Sequence, residues 1–386
     1  MQYRGLLTAL AGTACLVAAS ASGASASQLP SLALLKPNQA SPVETVHWRR
    51  YYHCHRNCWW RGGVERRGGG MSRLLLLGAG HAHLGVLESF AQAPVPGLEI
   101  CLVTPYPRQI YSGMLPGWIA GHYDLAQCAI DVASLARRAQ ARCVFDRVVR
   151  LDLSKRRALT ALGKTLDFDW VCIDTGAVAN DALLTKPFSG MAIRPIEDFV
   201  GAWPQQALTM QSAVVTVVGG GAAGVELVLA MAWRFGPASS VKLRLVTGRR
   251  GALPLWSASM RRRVYRHLRR AQVDIVEADV AAIEDQSIML DGDQALRSDW
   301  TLLATGAAAA AWPAQSGLAT DLQGFILTLS TLQSSSHSFV FAAGDCASMR
   351  LHPRARSGVY AVRAGPMLAH NFRCLAAGEP LREFVP

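Results

Sequence analysis

VVTVVGGGAAGVELVLAMAW, residues 214–233, contains the pattern that decides the fold. Val214–Val218 is a short apolar run rich in β-branched residues, which indicates a buried strand. The pattern G-x-G-x-x-G follows at Gly219, Gly221 and Gly224. In such a loop the first glycine permits a sharp turn, the second lets the backbone approach a diphosphate, and the third lets the next helix pack on the strand. Because Val225–Trp233 has helical spacing, the stretch predicts a dinucleotide-binding strand-loop-helix unit, the alternative being an ordinary glycine-rich turn.

A less regular copy of this unit lies earlier in the chain. The run of four leucines at 74–77 ends at Gly78-Ala79-Gly80, and an apolar-periodic stretch follows to Phe90. His83 stands at the third glycine position, with Gly85 two residues later. His81 and His83 therefore have two readings, a place in the cofactor site or a packing or capping role in the first turn of the helix.

A second repeat supports the first. Residues 169–176 and 299–306 share the pattern D-W-x4-T-G, in which a buried strand ends at Thr175-Gly176 and at Thr305-Gly306, respectively. Each copy lies downstream of one glycine loop. We therefore predict an α/β fold with two tandem nucleotide-binding units.

The chain lacks the acid that usually binds ribose hydroxyls after the second strand of such a unit. The corresponding strands end in Thr104 and in Thr247, and Arg249 and Arg250 follow the latter. An arginine at that point can accommodate a 2′-phosphate, which keeps NADPH open as the coenzyme. The alternative is a pair of solvated loop arginines. A third motif, the apolar strand Phe339–Ala343 ending in Gly344-Asp345, can offer a carboxylate to a sugar-like hydroxyl.

Composition limits the remaining classes of protein. With 51% hydrophobic residues over 386 positions, wholesale disorder is excluded, and no uninterrupted apolar run reaches the roughly 20 residues of a membrane span. Half of the net charge of +12 comes from residues 1–70. The rest is only mildly basic, which fits an anionic cofactor or an acidic membrane surface as well as a nucleic acid. Because residues 47–70 contain no recognised nucleic-acid-binding module, we predict no nucleic-acid partner. Six scattered cysteines follow residue 71 without a C-x-x-C pair, which is typical of reduced, buried thiols.

The first seventy residues differ from the rest. Residues 1–26 have a signal-like pattern, and residues 47–70 are basic, aromatic and glycine-rich. We interpret residues 1–70 as a signal-like, low-complexity, disordered extension, with an organellar transit peptide, a mis-assigned start before Met71 and an unrelated fusion as alternatives. A metal site at His53, Cys54, His55 and Cys58 is disfavoured because the spacing matches no common zinc pattern, and we predict none in this chain.

Taken in order, two glycine loops, two Thr-Gly strand ends and a late Ala-Gly-Asp resemble the two-dinucleotide flavoproteins, namely the pyridine nucleotide-disulfide oxidoreductases and type II NADH dehydrogenases. The resemblance covers nearly all of residues 71–386. Three stretches are more similar to the flavoprotein domains that are fused to selenide, water dikinase: GAGHAH at 78–83, YSGMLPG at 111–117 and GVYAVR at 358–363.

The resemblance implies FAD in the first unit and NAD(P)H in the second. It assigns FAD binding to Gly78, Gly80, His81, Thr175, Gly176, Gly344 and Asp345, and NAD(P)H binding to Gly219, Gly221, Gly224, Thr305 and Gly306. It implies that a helix beginning near Ser357 points its N-terminus at the flavin. Glu226 matches the family's acid near the nicotinamide, and its alternative role is that of a first-turn helix acid. The implied fold is α/β with two Rossmann-like (three-layer ββα) dinucleotide-binding domains, the second inserted in the first. The implied domains are 71–185 with 315–386 for FAD, and 186–314 for NAD(P)H.

The implied activity is that of an FAD-dependent NAD(P)H oxidoreductase that passes hydride to flavin and on to a quinone-like or other small-molecule acceptor. The family's C-x4-C pair is missing between Arg108 and Tyr123, which disfavours dithiol chemistry, and Cys346 is interpreted as a packing residue. The alternative is a flavin-binding accessory or regulatory protein of selenium metabolism. The family normally continues beyond the position of Pro386 into an interface or membrane-anchoring segment, so a homodimer and peripheral contact with the inner membrane stay open. Cytoplasmic placement is favoured, with export or organelle import as alternatives.

Overall fold

The computed structural model describes residues 71–354 and 356–385. The predicted disordered extension and the histidine and cysteine cluster at 53–58 lie outside the described residues. The β-strands are β1 (Ser72–Leu77), β2 (Leu98–Thr104), β3 (Arg108–Ile110), β4 (Ala129–Asp131), β5 (Arg142–Phe145), β6 (Val148–Asp152), β7 (Arg157–Thr160), β8 (Thr165–Asp167), β9 (Trp170–Ile173), β10 (Val178–Ala179), β11 (Leu184–Phe188), β12 (Gly190–Ala192), β13 (Val214–Val218), β14 (Lys242–Val246), β15 (Asp274–Val276), β16 (Val280–Asp285), β17 (Ser287–Leu290), β18 (Ala295–Arg297), β19 (Trp300–Leu303), β20 (Ala307–Ala308), β21 (Ile326–Thr328), β22 (Val340–Ala342) and β23 (Ala347–Met349).

The α-helices connect and cover these strands. They are α1 (His81–Gln92), α2 (Leu115–Ile119), α3 (Leu125–Cys128), α4 (Val132–Arg138), α5 (Ile196–Thr209), α6 (Ala222–Phe235), α7 (Ala258–Arg270), α8 (Trp312–Gln315) and α9 (Gly358–Ala377). Short 3-10 helices occupy Ser112–Met114 and Gly344–Cys346.

Two five-stranded parallel sheets organise the chain. The first has the strand order β22-β9-β1-β2-β5, and the second has the order β12-β19-β13-β14-β15. All strands of the second sheet fall between β9 and β22 of the first in chain order. The predicted α/β fold with Rossmann-like units is therefore confirmed, whereas the exact domain limits stay a prediction.

Each parallel sheet has an antiparallel sheet on one face and helices on the other. Because side chains alternate across a strand, Leu75 and Leu77 of β1 pack in one core with residues of the antiparallel sheet β6-β7-β8. On the opposite face, Phe341 of β22 contacts Phe372 of α9, with ring centroids 5.2 Å apart. The second sheet repeats this plan: Val218 packs with the antiparallel strands β16 and β17, and Val217 packs with helices α5, α6 and α7.

Helices α1 and α9 pack closely through two glycines. A Cβ atom on Gly85 would lie 3.1 Å from the Cα of Gly365, so each helix needs a residue without a side chain at this contact. Gly85, displaced from the usual third position of the first loop, thus serves helix packing.

The repeated Asp-Trp pairs have a common structural role. Asp169 Oδ2 accepts a hydrogen bond of 2.7 Å from the backbone N–H of Arg73, and the backbone N–H of Asp169 donates back to the Arg73 carbonyl at 2.9 Å. In the second unit, Asp299 makes the same reciprocal pair with Val214, at 2.8 Å and 2.8 Å. The repeated aspartate therefore fixes the start of the central strand against its neighbour in both units.

Candidate functional site

The first glycine loop is a tight connection between β1 and α1. Gly78 adopts a φ of +87°, a region that favours glycine, and a Cβ atom there would overlap the backbone carbonyl of residue 174. Gly80 is the N-cap of α1, which starts at His81, close to the predicted helix start. The sequence pattern therefore placed the turn and the helix correctly.

Asp174 lies beneath this loop and is only 2% exposed. Its Oδ2 accepts hydrogen bonds from the backbone N–H groups of Ala82 at 2.8 Å and of His83 at 3.0 Å. Burial raises the pKa of Asp174 to about 6, against the opposing effects of these backbone donors and of His81. A Cβ atom on Gly80 would overlap the Asp174 carboxyl group, so glycine is required here by an internal contact as well as by the predicted approach of a diphosphate.

The two histidines of α1 occupy different environments. His83 is fully buried, and its Nδ1 lies 2.6 Å from the carbonyl oxygen of Gly78, which matches the packing or capping alternative. Burial lowers the pKa of His83 to about 4. His81 lines the cavity described next, and its buried Nε2 has no hydrogen-bond partner within the described residues. Burial also lowers the pKa of His81, although Asp174 and Asp345 oppose this shift.

A cavity of about 360 Å³ opens beside the first loop, within the range of roughly 300–1,000 Å³ typical of small-molecule sites. It runs from the ends of β1 and β2 past the end of β9 to the N-terminus of α9. Seven of the predicted FAD-binding residues line it, namely Gly78, Gly80, His81, Thr175, Gly176, Gly344 and Asp345. The structure thus brings the whole predicted FAD set together around one cavity.

At the far end of the cavity the Arg194 side chain contacts Asp345. Its Oδ2 accepts a hydrogen bond from the Arg194 guanidinium at 3.3 Å, and both side chains are partly buried. Helix α9 starts alongside: Ser357 is its N-cap and accepts a hydrogen bond from Val359 N–H at 3.4 Å, and Ser357 and Gly358 line the cavity. The partial positive charge of this helix N-terminus faces the predicted flavin position.

The second glycine loop has the geometry that its complete motif predicts. Gly219 adopts a φ of +141°, where a Cβ atom would overlap the carbonyl oxygen of Ala304. A Cβ atom on Gly224 would overlap the carbonyl oxygen of Gly219, so the close approach of helix α6 to the turn requires glycine at this position. Gly221 differs, because nothing lies within 4 Å of its hypothetical Cβ. The space above Gly221 is therefore free for a diphosphate.

The predicted NAD(P)H-binding residues do not line the cavity of the first unit. Gly219, Gly221, Gly224, Thr305 and Gly306 all lie outside its lining. The hydroxyl of Thr305 donates to the carbonyl of Asn180 at 3.1 Å, and β20, which follows Gly306, pairs with β10, which follows Gly176. The two Thr-Gly strand ends thus lead directly into a ribbon that joins the two units.

The structure contradicts one of the two roles predicted for Glu226, that of a first-turn helix acid. Helix α6 begins at Ala222, three residues before the predicted start, so Glu226 is its fifth residue and does not belong to the first turn. The alternative role as a first-turn acid is therefore wrong, because Ala222–Gly224 already have helical geometry. Glu226 lies outside the cavity lining, and desolvation by neighbouring protein atoms raises the pKa of its carboxyl group.

Three cavity residues were missed by the sequence reading. Asp174 interrupts an otherwise apolar strand end, and its counterpart in the second repeat is Ala304, a difference that could have marked it. Arg194 carries no motif. Asp146 lines the cavity beside Thr104, where an acid was thought to be missing. Hydrogen bonds from the Thr160 hydroxyl, and then from backbone amides, lower the pKa of Asp146 and hold its carboxylate in place.

The cysteines of the described residues lie away from the lining of the cavity. No cysteine lines it within residues 71–354 and 356–385. Cys346 is buried, its thiol lies 3.1 Å from the Ala343 carbonyl, and burial raises its pKa to about 12. A thiol this hard to ionise is a poor nucleophile, as expected for a packing residue.

The sequence profile described as pyridine nucleotide-disulphide oxidoreductase matches residues 72–371, which is most of the chain. The chain belongs to this family. Members of the pyridine nucleotide-disulphide oxidoreductase family use FAD and NAD(P)H, so the predicted enzyme class and cofactor pair are confirmed at the level of the family. None of the curated proteins compared with the chain matches it.

Solved structures of several oxidoreductases have a similar fold. Reduced CoADR-RHD from Bacillus anthracis has a TM-score of 0.67 at 20% identity over 82% of this chain. The NADH-bound, water-forming NADH oxidase from Lactobacillus brevis has a TM-score of 0.68 at 16% identity over 81% of this chain and 71% of its own. The sulfide:quinone oxidoreductase of Aquifex aeolicus has a TM-score of 0.64 at 14% identity over 80% of this chain and 78% of its own. The chain spans only 58% of the Bacillus protein.

The finer predictions are untouched by these comparisons. The resemblance to domains fused to selenide, water dikinase, the homodimer and the quinone-like acceptor stay predictions. Within the part of the chain that the structure describes, no helix combines the length and apolarity needed to cross a bilayer.

Proposed function

We propose that this chain is an FAD-dependent NAD(P)H oxidoreductase that passes electrons to a quinone-like acceptor. The single observation that carries the proposal is the cavity that collects all seven predicted FAD-binding residues, with a helix N-terminus at each end. When bound, NAD(P)H supplies a hydride and FAD accepts it and releases electrons to the acceptor. The protein binds, orients and polarises these groups.

Three parts of the first unit would contact FAD. The backbone N–H of His81, the only one of the first four of α1 without a partner in the described residues, and the unpartnered Nε2 of the His81 side chain would face the diphosphate. Asp345, which is held by Arg194, would accept hydrogen bonds from the hydroxyls of the ribityl chain. The N-terminus of α9 would stabilise negative charge that develops on the flavin during reduction.

The second unit would hold NAD(P)H by its own loop. The N–H groups of Ala222, Ala223 and Gly224 donate to no acceptor among the described residues, and the space above Gly221 is open. We assign Thr305 and Gly306 to the edge of this site, as the repeat of Thr175 and Gly176 suggests. Glu226 is proposed as the acid near the nicotinamide. A Glu226→Gln protein with slower flavin reduction supports that role, and an unchanged rate contradicts it.

Coenzyme preference is proposed to depend on Arg250. Arg249 is paired with Asp279 at 3.3 Å and with Asp291 at 2.8 Å, so its charge is largely compensated. Arg250 is exposed and forms no salt bridge within the described residues. If Arg250 binds a 2′-phosphate, Arg250→Ala lowers kcat/KM for NADPH and leaves that for NADH unchanged. A protein that strongly prefers NADH contradicts the NADPH assignment.

A membrane surface is the proposed location of the acceptor. Helix α7 holds six arginines and no acidic residue, and five of the six, Arg262, Arg263, Arg266, Arg269 and Arg270, are exposed. Just before the helix, Leu255 is 89% exposed and Trp256 is 42% exposed. Arginines beside an exposed tryptophan and leucine are typical of peripheral contact with anionic lipid. We call Leu255, Trp256 and α7 the basic helix surface.

Cosedimentation with vesicles tests this surface. The protein should bind vesicles that contain anionic lipid, bind neutral vesicles poorly, and lose binding when Arg262 and Arg266 are changed to Glu. A matched control carries Arg150→Glu and Lys242→Glu, which reverse two exposed charges elsewhere. Equal loss of binding in both double variants would show a nonspecific effect of net charge and contradict the assignment.

Anaerobic titration tests the proposed function as a whole. Purified protein incubated with FAD should become yellow, bleach on addition of NADH or NADPH, and regain its colour when a short-chain quinone is added. Failure to retain FAD, or retained FAD that neither coenzyme reduces, contradicts the oxidoreductase assignment and favours an accessory role. If oxygen reoxidises the reduced flavin as fast as the quinone does, only the assignment of a quinone-like acceptor is contradicted, and the oxidoreductase assignment stands.

A further inference from the structure

The N-terminus of α1 already holds an anion that belongs to the chain itself. Asp174 sits at the end of β9, and one of its carboxylate oxygens accepts from both the Ala82 and the His83 backbone N–H groups. Of the first four N–H groups of α1, that of Leu84 donates to the Gly80 carbonyl, which leaves only that of His81 without a partner in the described structure. Half of the helix N-terminal donors that could face a diphosphate are thus occupied by a buried carboxylate.

The second unit serves as an internal reference. The registers of the two central strand pairs are the same: Leu77 is level with Ile173 in the first unit, and Val218 is level with Leu303 in the second. Residue 174 therefore corresponds to Ala304, and both backbone carbonyls contact the first glycine of their loop. The second unit makes the same strand-loop-helix connection with alanine at the position of Asp174, although the loops also differ at their third glycine position, so the connection does not itself require the carboxylate.

One side chain near Asp174, that of His81, can share a proton with its carboxyl group. His81 lies on the cavity side with an unpartnered Nε2, and burial lowers its pKa while Asp174 opposes that shift. The other titratable or charged groups that face this carboxylate are His83 on α1, Cys172 on β9, Asp345 and Cys346 on the following turn, and Arg194 through Asp345. Burial keeps His83 and both thiols neutral near pH 7, and Arg194 is committed to Asp345.

We propose that Asp174 competes with the FAD diphosphate for the N-terminus of α1, and that FAD therefore binds together with one proton on the Asp174–His81 pair. This inference rests on the proposed FAD site. A diphosphate carries about two negative charges, and an ionised Asp174 would add a third within the same buried space. A proton taken from solvent by the Asp174 carboxyl or by the His81 imidazole cancels that third charge without moving either strand.

The coupling has a measurable size. If one proton is bound with FAD, the dissociation constant rises about tenfold for each pH unit above the range in which the pair titrates. Asp174→Ala makes the first unit resemble the second at this position and frees the Ala82 and His83 N–H groups for the diphosphate. This variant should bind FAD with an affinity independent of pH, and more tightly than the unmodified protein at pH 8.5.

Flavin fluorescence titrations from pH 6 to pH 9 test this expectation. They are combined with calorimetry in two buffers of different ionisation enthalpy, which counts the protons taken up. The unmodified protein should take up close to one proton per FAD at pH 8, and Asp174→Ala should take up none. Asp299→Asn, at the repeated aspartate of the second unit, is the control and should keep the full uptake. If Asp174→Ala does not fold, Asp174→Asn replaces it, since it keeps an oxygen that can accept from the Ala82 and His83 N–H groups but carries no charge, and it should also abolish the uptake.

The outcomes separate this inference from the proposed function. No FAD binding at any pH overturns both. FAD binding with a flat pH profile and no proton uptake overturns the inference and leaves the FAD site standing. Proton uptake that persists when the Asp174 carboxylate is removed, in Asp174→Ala or in Asp174→Asn, also overturns the inference, because a different group must then drive the proton uptake.

Discussion

Two glycines of the second loop should respond differently to the same added methyl group. A Cβ atom on Gly224 would overlap the Gly219 carbonyl, which is an internal contact of the fold. A Cβ atom on Gly221 meets nothing within 4 Å, and its φ of −75° and ψ of 178° are accessible to any residue. We expect Gly224→Ala to destabilise the protein and Gly221→Ala to affect only coenzyme binding.

The magnitudes follow from these contacts. Overpacking of a tight site costs about 1–3 kcal/mol, which is the expected loss in the free energy of unfolding for Gly224→Ala. Gly221→Ala should change that free energy by less than about 1 kcal/mol, since loss of an N-cap glycine and reduced entropy of the unfolded chain oppose each other. Its methyl group fills the space proposed for the NAD(P)H diphosphate, so a loss of about 1.4 kcal/mol or more in binding, a tenfold rise in KM, is expected.

Urea unfolding and anaerobic reduction kinetics measure the two effects separately. Gly201→Ala is the control, because Gly201 lies in α5 with nothing within 4 Å of its hypothetical Cβ. It should stabilise the protein by up to about 1 kcal/mol and leave the KM for NADH unchanged. FAD content should be the same in Gly221→Ala, Gly201→Ala and the unmodified protein. An unchanged KM in Gly221→Ala would refute the placement of the coenzyme at this loop.

Three further outcomes can be checked with the same assays. Leu76→Ala empties a fully buried position in β1 and should lower the free energy of urea unfolding by about 2–5 kcal/mol; a loss below 1 kcal/mol would contradict the described core. Cys346→Ser should leave the rate of flavin reduction by NADH unchanged, because this thiol is buried and neutral; a large loss of rate with full FAD content would assign it a chemical role. His83 has a pKa of about 4 when folded against an ordinary value of 6.5, so the unfolded chain binds more protons between these values and native stability is lost as the pH falls through this window, by up to about 3 kcal/mol. The raised pKa of Asp174, about 6, acts in the opposite direction in both proteins, so urea unfolding at pH 7.5 and 4.5 should show a change that is less favourable to the native state in the unmodified protein than in His83→Gln.

The sequence allowed the parts of the fold that depend on local pattern to be predicted. Val214–Val218 is a strand with the predicted bounds, and the Thr-Gly strand ends lie beside the glycine loops. Helix α6 was predicted too short at its start, because Ala222–Gly224 has no apolar spacing of its own. The antiparallel sheets beside each parallel sheet were implied only by the resemblance.

The candidate site was predicted as far as glycines and strand ends mark it. Asp174 and Arg194 were missed, since their roles depend on partners 92 and 151 residues away in the chain. The hydrophobic periodicity of a sequence carries no information about contacts between residues so far apart in the chain. The difference between Asp174 and Ala304 within the repeat was visible, but its meaning required the hydrogen bonds to α1.

The reciprocal hydrogen bonds of Asp169 and Asp299 have a consequence for how this protein can vary. Each anchors one end of a strand pair whose other end delivers a glycine loop, and only four residue pairs separate the two ends. Adding or deleting a single residue between anchor and loop would turn every side chain of that strand to the wrong face. Ligand preference can therefore change through substitutions at the strand ends, such as the difference between Asp174 and Ala304. The number of strand residues between the anchoring aspartate and the glycine loop has to stay the same.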